Sequence, residues 1–246
     1  MSEIAASLSS APRLFVDVAL AAGLVLPLSA PASHYLGGVM RLGVGDAVRL
    51  FDDRSGEWRA AIVEAGRKVV TVRIDAPIAP RETVPDLWLC AAPLKRGRID
   101  WVAEKACELG VARFVPVVTR RTVVDRLNLD RLRAHMIEAA EQCGRTALPQ
   151  MAEPVALATL LATWPAGRTL VFADETGGAP LAAALRGAPA PAAILIGPEG
   201  GFTGEERDLI RAVAGVVAVS LGPRILRADT AAAVAVGVWQ AVAGDG

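Results

Sequence analysis

The sequence predicts an α/β protein in which a parallel sheet with helices on both faces follows a small β-barrel. Strand-like segments fill most of residues 1–80, whereas apolar strand-like runs alternate with helix-like segments from residue 86 onward. That alternation is typical of strands that are joined by crossover helices and therefore run parallel. Residues 76–85 contain three prolines and are predicted to form a linker. We therefore expect two domains, residues 1–80 and residues 81–246.

The barrel prediction rests on a series of short segments. "RLFVDV" at 13–18 is typical of a strand, and "HYLGGVMRLGVGD" at 34–46 is typical of a short helix that ends in a turn. The segments "AVRLFDD", "EWRAAIVEA" and "KVVTVRIDA" then follow one another around glycine-containing turns, as hairpin strands do. Together they predict a small barrel.

Strands and helices alternate in the second domain. The predicted strands are "LWLCAAP", "VARFVPVVT", "TLVFADE", "AAILIGPE" and "VVAVSLG". The predicted helices are "IDWVAEKACELG", "LDRLRAHMIEAAEQCGR", "VALATLLATW", "PLAAALR", "GEERDLIRAVA" and "DTAAAVAVGVWQAVAG". The segment "RGAPAPAA" at 186–193 is of low complexity but short, and we predict a loop there.

Composition argues against several classes of protein. Apolar residues make up 53% of the 246 residues, which excludes a disordered chain. The formal net charge is zero, with 26 basic and 26 acidic residues, so a global attraction to nucleic acid is not expected, although a local basic face stays open. Three cysteines without C-x-x-C spacing, and two histidines, predict a reducing compartment, no disulfide framework and no metal site.

Residues 14–33 loosely resemble a signal peptide that ends in small residues. Asp17 interrupts the apolar part, and Arg13 is offset by Glu3, so the positively charged start of such a peptide is not evident. The run is also too short to cross a membrane and contains Pro27. We therefore predict a cytoplasmic protein with no membrane contact.

Three loops after predicted strands are candidates for a binding site, because open parallel sheets bind ligands beyond the carboxyl ends of their strands. They are "ADETGG" at 173–178, "GPEGGFTG" at 197–204 and "LGPRILRADT" at 221–230. Each could instead be an ordinary turn between a strand and a helix. The third loop argues against that alternative, because Arg224 and Arg227 flank two apolar residues for which a plain turn has no use.

The stretch "IGPEGGFTGEE" at 196–206 lacks the features of a phosphate loop. It has no Gly-Lys-Ser/Thr ending, and it does not match G-x-G-x-x-G. Its charges are Glu199, Glu205 and Glu206, which suit the start of a helix but repel a phosphate. The stretch therefore predicts a neutral ligand, a cationic ligand, or none.

Four motifs occur in a fixed order along the chain: "DWVAEKACELGV", "EAAEQCGR", "IGPEGGFTGEE" and "LGPRILRADTA", with "HYLGGVMRLGVGD" before them. In these motifs the chain resembles the ribosomal RNA small subunit methyltransferase E family, the uridine-N3 methyltransferases of 16S rRNA. The resemblance extends over nearly the whole chain. It implies a SPOUT-type domain with a C-terminal trefoil knot, preceded by a PUA-like barrel. It also implies S-adenosylmethionine as methyl donor, 16S rRNA or the 30S subunit as substrate, and a homodimer with its active site at the subunit interface.

S-Adenosylmethionine carries a sulfonium and no phosphate, which agrees with a glycine-rich loop that has acids and no lysine. Gly197, Gly200 and Gly201 would let the backbone approach the adenosine closely, and apolar loop residues would form walls around the adenine. Any one of these residues could instead be ordinary core. The predicted cofactor contacts are Asp174, Glu175, Ile196, Gly197, Pro198, Glu199, Gly200, Gly201, Leu221, Gly222, Arg224, Ile225, Leu226, Thr230 and Ala231.

The resemblance also implies methyl transfer to a ring nitrogen whose proton must leave. A cation beside the developing uridinate would stabilise it, a role that suits Arg227 or Arg145, and Glu141 or Asp229 would accept the proton. The family usually has glutamate where this chain has Asp229, and Asp229 with Thr230 could instead cap a helix. Glu141 and Arg145 lie four residues apart and could instead form an ion pair within a helix.

A local basic face is predicted between Leu94 and Thr146, where eleven basic residues stand against seven acidic ones. "LKRGR" at 94–98 and "TRRTVVDR" at 119–126 are typical of contacts with RNA phosphates, and arginines of the barrel, Arg49 among them, could extend this face. Each arginine could instead be a solvated surface group. The predicted RNA contacts are Arg13, Arg41, Lys95, Arg96, Arg98, Arg120, Arg121 and Arg145.

The sequence thus predicts an S-adenosylmethionine-dependent methyltransferase that acts on N3 of a uridine in 16S rRNA. Two alternatives stay open: a related knotted methyltransferase that acts on another RNA position, and a non-catalytic RNA-binding adapter that has lost its affinity for the cofactor. The presence of all three loops favours an enzyme over the adapter.

Overall fold

Two units make up the protein, for which a computed structural model describes residues 10–124, 126–187 and 189–245. Unit 1 comprises Met1–Thr83 and Ala140–Ala147, and unit 2 comprises Val84–Ala139 and Leu148–Gly246.

Parts of three sequence predictions lie outside the described residues. They are residues 1–9 and 246 at the ends of the predicted domains, Asp125 within "TRRTVVDR", and Ala188 within the loop predicted at 186–193.

Unit 1 contains a five-stranded sheet with the order β1-β3-β4-β5-β2. Its strands are β1 (Arg13–Phe15), β2 (Val25–Pro27), β3 (Ala47–Phe51), β4 (Glu57–Ala65) and β5 (Val70–Ala79). Neighbouring strands are antiparallel except β1 and β3, which run parallel. Alternate residues such as Val48, Leu50, Val72 and Ile74 are fully buried, as expected of strands that present one face to a core.

Two elements of unit 1 differ from the prediction. The helical segment begins earlier than expected, as helix α1 (Ala30–His34) capped by Ser29, and continues into a π-helical turn at Tyr35–Val39. Strand β5 continues through Pro77 into the segment predicted as a linker. The pairing with β4 shifts register on both sides of the Trp58–Pro77 pair, which accommodates a proline that cannot donate to the ladder.

Arg13 is buried in unit 1, where its side chain contacts several segments that are far apart in sequence. Its side chain lies over the ring of Phe51 at 3.9 Å and pairs with Glu57 at 2.8 Å. Its two terminal nitrogens donate to the carbonyl oxygens of Ala140 and Arg145, each at 2.5 Å. Arg13 was predicted to contact RNA; that prediction is corrected, because the side chain is buried and its donors are used within the unit.

The segment Ala140–Ala147 is held in unit 1 by two further acids. Glu82 Oε1 accepts hydrogen bonds from Arg145 Nε and from the backbone N–H groups of Thr146 and Ala147 at 3.0–3.1 Å. Glu141 Oε1 accepts the backbone N–H of Phe15 at 2.9 Å. Arg145 is buried and lies beyond the end of its helix at Cys143. These contacts give Glu141 and Arg145 structural partners. The catalytic role predicted for both residues, and the RNA contact predicted for Arg145, stay predictions.

Unit 2 is built on a parallel sheet with the order β11-β13-β10-β12-β6-β7-β8, and β9 also pairs with β7. The strands are β6 (Leu87–Ala91), β7 (Arg113–Val118), β8 (Gln150–Met151), β9 (Val155–Ala156), β10 (Thr169–Ala173), β11 (Ala179–Pro180), β12 (Ala192–Ile196) and β13 (Val216–Ser220). The helices are α2 (Arg98–Glu108), α3 (Leu129–Cys143), α4 (Leu157–Ala162), α5 (Leu181–Ala184), α6 (Gly204–Arg211) and α7 (Ala228–Ala243). The predicted α/β fold with a parallel sheet is confirmed.

Helix α7 packs against α2 through an alanine-rich face. Ala232 and Ala235 are buried, and these small side chains permit a close approach. Gln240 Nε2 donates to the carbonyl oxygen of Leu109 at 2.8 Å, which satisfies an acceptor just beyond the end of α2. The packing fixes the start of α7, at Ala228, close to the end of the sheet that carries the candidate site.

None of the described helices has both the length and the apolar character needed to cross a bilayer. Within the same residues, no group of three or more His, Cys, Asp and Glu side chains is arranged to hold a metal ion.

Burial raises the pKa of the Cys90 thiol to about 12 despite the nearby Arg168 and Arg113, so this thiol stays protonated.

Replacing Arg13 with methionine tests its structural role. Removing one partner of a buried ion pair typically costs about 3–5 kcal/mol, so Arg13→Met should lower the free energy of unfolding in urea by about 3 kcal/mol. Arg54, whose ion pair with Asp17 is exposed, is the matched control, and Arg54→Met should cost less than about 1 kcal/mol. Equal losses in the two variants would contradict the role given to Arg13.

Candidate functional site

Three neighbouring strands of unit 2 end at one cavity. β13, β10 and β12 lie side by side in the sheet and run parallel, so their carboxyl ends meet at the same edge. The loops that follow them surround a cavity of about 540 Å³. The chain order of these strands reverses around β10, which is the kind of switch point where open parallel sheets bind ligands.

Nearly all of the predicted cofactor contacts line this cavity. They are Asp174, Glu175, Ile196, Gly197, Pro198, Glu199, Gly200, Gly201, Leu221, Gly222, Arg224, Ile225, Leu226 and Ala231. Thr230 is not among the lining residues, because it lies on an exposed face in the first turn of α7. Residues that the sequence reasoning missed complete the lining: Ala173, Thr176, Gly177, Val219, Ser220, Pro223 and Ala228.

Asp174 fixes the loop after β10. Its carboxylate accepts hydrogen bonds from the backbone N–H and hydroxyl of Thr176 at 2.9 and 2.7 Å, and from Arg211 at 2.5 Å. Burial alone would raise the pKa of Asp174, but the bonds from Thr176 and Arg211 outweigh it and lower the pKa. The side chain is fully buried, and its carboxylate anchors a loop whose residues line the cavity. The cofactor contact predicted for Asp174 stays a prediction.

Glu175 is held by the same helix as Asp174. Its carboxylate pairs with Arg207 of α6, while Arg207 Nε lies 3.7 Å from Asp174. Arg207 and Arg211 therefore tie the whole loop after β10 to α6. A Cβ placed on Gly201 would lie 2.4 Å from Glu175 Oε1 and would require that side chain to move.

Contacts and backbone conformation within the protein favour glycine in the loop after β12, in addition to the predicted reason, which is a close approach of the backbone to adenosine. A Cβ placed on Gly197 would lie 2.7 Å from the ring of Phe202, which is buried and packs edge-on against Phe172. Gly201 has φ +67°, a left-handed conformation that favours glycine, and its N–H closes a turn on the carbonyl oxygen of Pro198 at 2.8 Å. The loop is therefore a defined turn in its own right.

Glu206 joins this loop to the turn after β7. Its carboxylate accepts the backbone N–H of Thr203 at 2.9 Å and that of Arg120 at 2.8 Å, and the side chain is buried. Thr203 Oγ1 in turn accepts the N–H of Glu206, which completes a capping box at the start of α6. Arg121 Nη1 donates to the carbonyl oxygen of Gly200 at 2.6 Å. The Thr-x-x-Glu spacing was the signal in the sequence, but it did not reveal the contact with Arg120.

The loop after β13 has far fewer anchors than the other two walls. Its side chains Arg224, Ile225 and Arg227 are exposed, and Ile225 is 90% exposed. Neither arginine has an ion-pair or hydrogen-bond partner within the described part of the chain. Two cationic groups thus lie at the cavity without an ion-pair partner among the residues that the structure describes.

The carboxylate of Asp229 has its partners outside the cavity. The residue that caps α7 is Arg227, and Asp229 lies in the first turn, where its Oδ1 accepts the N–H of Thr230 at 2.8 Å. Its Oδ2 lies 4.0 Å from Arg98 Nε. Asp229 does not line the cavity, so the structure places this candidate proton acceptor outside it and gives it an ion pair with a predicted RNA contact.

The remaining basic candidates lie at the surface. Lys95, Arg96 and Arg41 are exposed and have no acidic partner among the residues that the structure describes. Arg120 is also exposed and pairs with Glu205 at 3.0 Å. These side chains are accessible to an anion, in contrast to Arg13 and Arg145.

The chemistry of the lining suits a ligand with apolar and cationic parts. Ile196, Leu221 and Leu226 provide apolar surface, and none of the described lining residues is a lysine. Glu199 is exposed at the cavity and has no partner in the described ranges, whereas Asp174 and Glu175 are paired. Glu199 is therefore the acid that is left to face a cationic ligand.

The match to known proteins covers both units. The RNA methyltransferase domain family matches residues 81–240, and the RNA methyltransferase PUA domain family matches residues 28–75. A relative from Synechocystis, named ribosomal RNA small subunit methyltransferase E, is 33% identical over 209 residues, which cover 82% of this chain and 68% of the relative. This chain belongs to the ribosomal RNA small subunit methyltransferase E family. The family predicted from the motifs is thereby confirmed, and with it an RNA methyltransferase.

Other members of the family extend the match to nearly the full length. The Rickettsia conorii relative of the same name is 29% identical over 228 residues, which cover 91% of this chain and 93% of the relative. The solved Neisseria gonorrhoeae ribosomal RNA small subunit methyltransferase E, bound to S-adenosylmethionine, has a TM-score of 0.86 at 26% identity and covers 96% of this chain and 99% of its own. A Legionella pneumophila structure with bound cofactor SAM has a TM-score of 0.85 at 31% identity, with the same coverage.

Asp174 makes the stability of unit 2 depend on pH. The pKa of Asp174 is lower in the folded protein than in the unfolded chain, so ionised Asp174 stabilises the fold. This stabilisation is complete above the unfolded pKa of about 3.9. It is lost as the pH falls through the folded pKa. The difference in unfolding free energy between the wild type and Asp174→Asn should therefore be largest near about pH 6 and shrink below about pH 4. Urea unfolding across this range measures it, with Asp208→Asn, an exposed change on α6, as the control. A difference for Asp174→Asn that did not change with pH would contradict the anchoring role.

Proposed function

We propose that the chain transfers the methyl group of S-adenosylmethionine to N3 of a uridine in 16S rRNA. The observation that carries the proposal is the cavity of unit 2, whose lining combines apolar side chains with Arg224 and Arg227. Neither arginine side chain has an ion-pair partner among the described residues. Membership of the ribosomal RNA small subunit methyltransferase E family identifies the class of reaction, an rRNA methylation that depends on S-adenosylmethionine.

The cavity fits this cofactor in size and chemistry. Its volume of about 540 Å³ lies within the range of about 300–1,000 Å³ that is typical of small-molecule sites. Apolar side chains of Ile196, Leu221 and Leu226 would hold the adenine, and Gly197 and Gly200 also line the cavity. The carboxylate of Glu199 offers negative charge to a sulfonium, and the absence of lysine from the described lining agrees with a ligand that has no phosphate.

The contribution of this chain to the reaction is mainly electrostatic. When bound, S-adenosylmethionine supplies an electrophilic methyl group, and the uridine must lose its N3 proton as that methyl is accepted. The guanidinium of Arg227 lies at the cavity and has no ion-pair partner among the described residues, and it would stabilise the negative charge that develops on the uracil ring. The two carboxylates predicted to take the proton, Glu141 and Asp229, are both bound to backbone N–H groups. We therefore assign the main catalytic role to Arg227, which stabilises the uridinate, and not to either acid; the N3 proton passes to solvent water.

The remaining expectations form part of the same proposal. Unit 1 would bind RNA as a PUA-like domain, which the family match at residues 28–75 supports. The loops around the cavity would belong to a C-terminal trefoil knot, and the protein would act in the cytoplasm as a homodimer on 16S rRNA or the 30S subunit. Lys95, Arg96 and Arg41, which are exposed, are the basic residues best placed to meet RNA phosphates.

Methylation of assembled 30S subunits and of naked 16S rRNA, with the modified base mapped by mass spectrometry, tests the proposal. Transfer to N3 of one uridine in either substrate supports it, and the preferred substrate shows which form is recognised. Methylation at another position would favour the related knotted enzyme. Absence of S-adenosylmethionine binding in calorimetry would favour the adapter.

The role of Arg227 gives a sharper prediction. Removing one charge-stabilising group from an active site typically costs about 100- to 1,000-fold in turnover, so Arg227→Ala should lower kcat by that factor and leave the melting temperature unchanged. Arg186→Ala is the control, since Arg186 is exposed and does not line the cavity. Turnover of Arg227→Ala within threefold of the wild type would contradict the assignment.

A further inference from the structure

The turn after β7 is a rigid element beside the candidate cofactor loop. Thr119 and Thr122 close it from both ends: Thr122 Oγ1 accepts the backbone N–H of Thr119 at 2.9 Å, and the carbonyl oxygen of Thr119 accepts the N–H of Thr122 at 3.2 Å. The two hydroxyl groups also lie 3.0 Å apart, in hydrogen-bond contact. Arg120 and Arg121 form the tip of this turn, so their backbone positions are set before any ligand binds.

Arg121 contacts the cofactor loop in two ways. Its Nη1 donates to the carbonyl oxygen of Gly200 at 2.6 Å, and its aliphatic stem packs on the Cα of the same residue. A Cβ placed on Gly200 would lie 3.3 Å from both Cβ and Cδ of Arg121, which is closer than side chains usually pack. The absence of a side chain at Gly200 therefore serves the contact with Arg121.

The backbone of the turn is tied to the same loop. The N–H of Arg120 donates to the buried carboxylate of Glu206, which also caps the helix that follows the loop. Two hydrogen bonds thus join the turn to this region: the Arg121 guanidinium donates to the Gly200 carbonyl oxygen, and the Arg120 N–H donates to the Glu206 carboxylate. A contact that fixes the guanidinium of Arg121 would therefore also restrain Gly200, a residue of the cavity lining.

The guanidinium of Arg121 still has donors for a second partner. The side chain is exposed, and no carboxylate within the described ranges forms an ion pair with it. An arginine has five N–H donors in a fixed planar fork, and the contact with Gly200 uses one nitrogen. The neighbouring Arg120 differs, because its guanidinium is paired with Glu205 at 3.0 Å. Arg121 is therefore the arginine of this turn that is ready for an external anion.

We infer that Arg121 couples RNA binding to cofactor binding. One edge of its guanidinium would take an RNA phosphate through charge-assisted hydrogen bonds while Nη1 holds the Gly200 carbonyl oxygen, so bound RNA restrains the cofactor loop in the conformation that forms the cavity. Because coupling between two ligands is reciprocal, bound cofactor would equally raise the affinity for RNA. Arg121 is thus a positioning residue and not a catalytic one. The inference rests on the proposed function.

A calorimetric cycle tests this coupling. S-Adenosylhomocysteine, which has no methyl group to transfer, is titrated into the protein alone and into the protein saturated with transcribed 16S rRNA. The wild type should bind it about tenfold more tightly with RNA present, within the usual range for coupled sites. Arg121→Gln should bring that ratio to below about twofold, and Arg121→Lys, which keeps the charge but not the fork, should give an intermediate ratio.

Arg120→Gln is the matched control, because it removes the neighbouring charge but leaves the bond to Gly200. It should keep the tenfold ratio even where the affinity for RNA falls. A wild-type ratio near one, or an unchanged ratio in Arg121→Gln, would overturn the inference. Inorganic phosphate in place of RNA should leave the affinity unchanged, and a tenfold gain with phosphate alone would overturn the assignment to RNA. Failure of the proposed function would appear separately, as no binding of S-adenosylhomocysteine under any condition.

Discussion

The candidate site depends on the hydrogen bonds that the buried carboxylate of Glu206 accepts. A buried carboxylate is costly unless it is hydrogen-bonded, and here two backbone N–H groups, those of Thr203 and Arg120, satisfy it. Through these bonds a single side chain fixes the start of α6, the loop after β12 and the turn after β7. Arg120 lies 86 residues before Glu206, so the loop keeps its shape through a tertiary contact as well as through its own turn chemistry.

Helix α6 extends this anchoring to a second wall. Arg207 and Arg211 on the same helix hold Glu175 and Asp174, and with them the loop after β10. Two walls of the cavity therefore depend on one short helix. The third wall, with Arg224 and Arg227, has no such ion pairs within the described residues. A site with two fixed walls and a cationic third wall suits a reaction in which the cofactor is held firmly and charge develops on the substrate.

The sequence predicted the sheet, the three loops and most of the cavity lining, because hydrophobic period and the placement of glycine and proline are local signals. Local sequence pattern does not reveal which charged side chains are buried. Arg13 and Arg145 were read as surface groups, but their acidic and carbonyl partners come from distant segments and were invisible in one sequence. Glu206 was read as a partner of the helix dipole, since its bond to Arg120 spans 86 residues. Thr230 is among the predicted cofactor contacts, but it lies on an exposed face of α7 and outside the lining.

Calorimetric titration of S-adenosylmethionine into Glu206→Gln and Glu205→Gln tests the central claim most directly. Glutamine keeps the size of Glu206 but replaces one carboxylate oxygen with an NH₂ group. The hydrogen bond from the N–H of Thr203 or of Arg120 would then be lost, because two donors would face each other. Loss of a hydrogen bond to a charged group typically costs about 1.5–3 kcal/mol, so Glu206→Gln should weaken binding at least about tenfold. Glu205→Gln, an exposed change one residue away, should stay within twofold of the wild type. Equal affinities for the two folded variants would contradict the account.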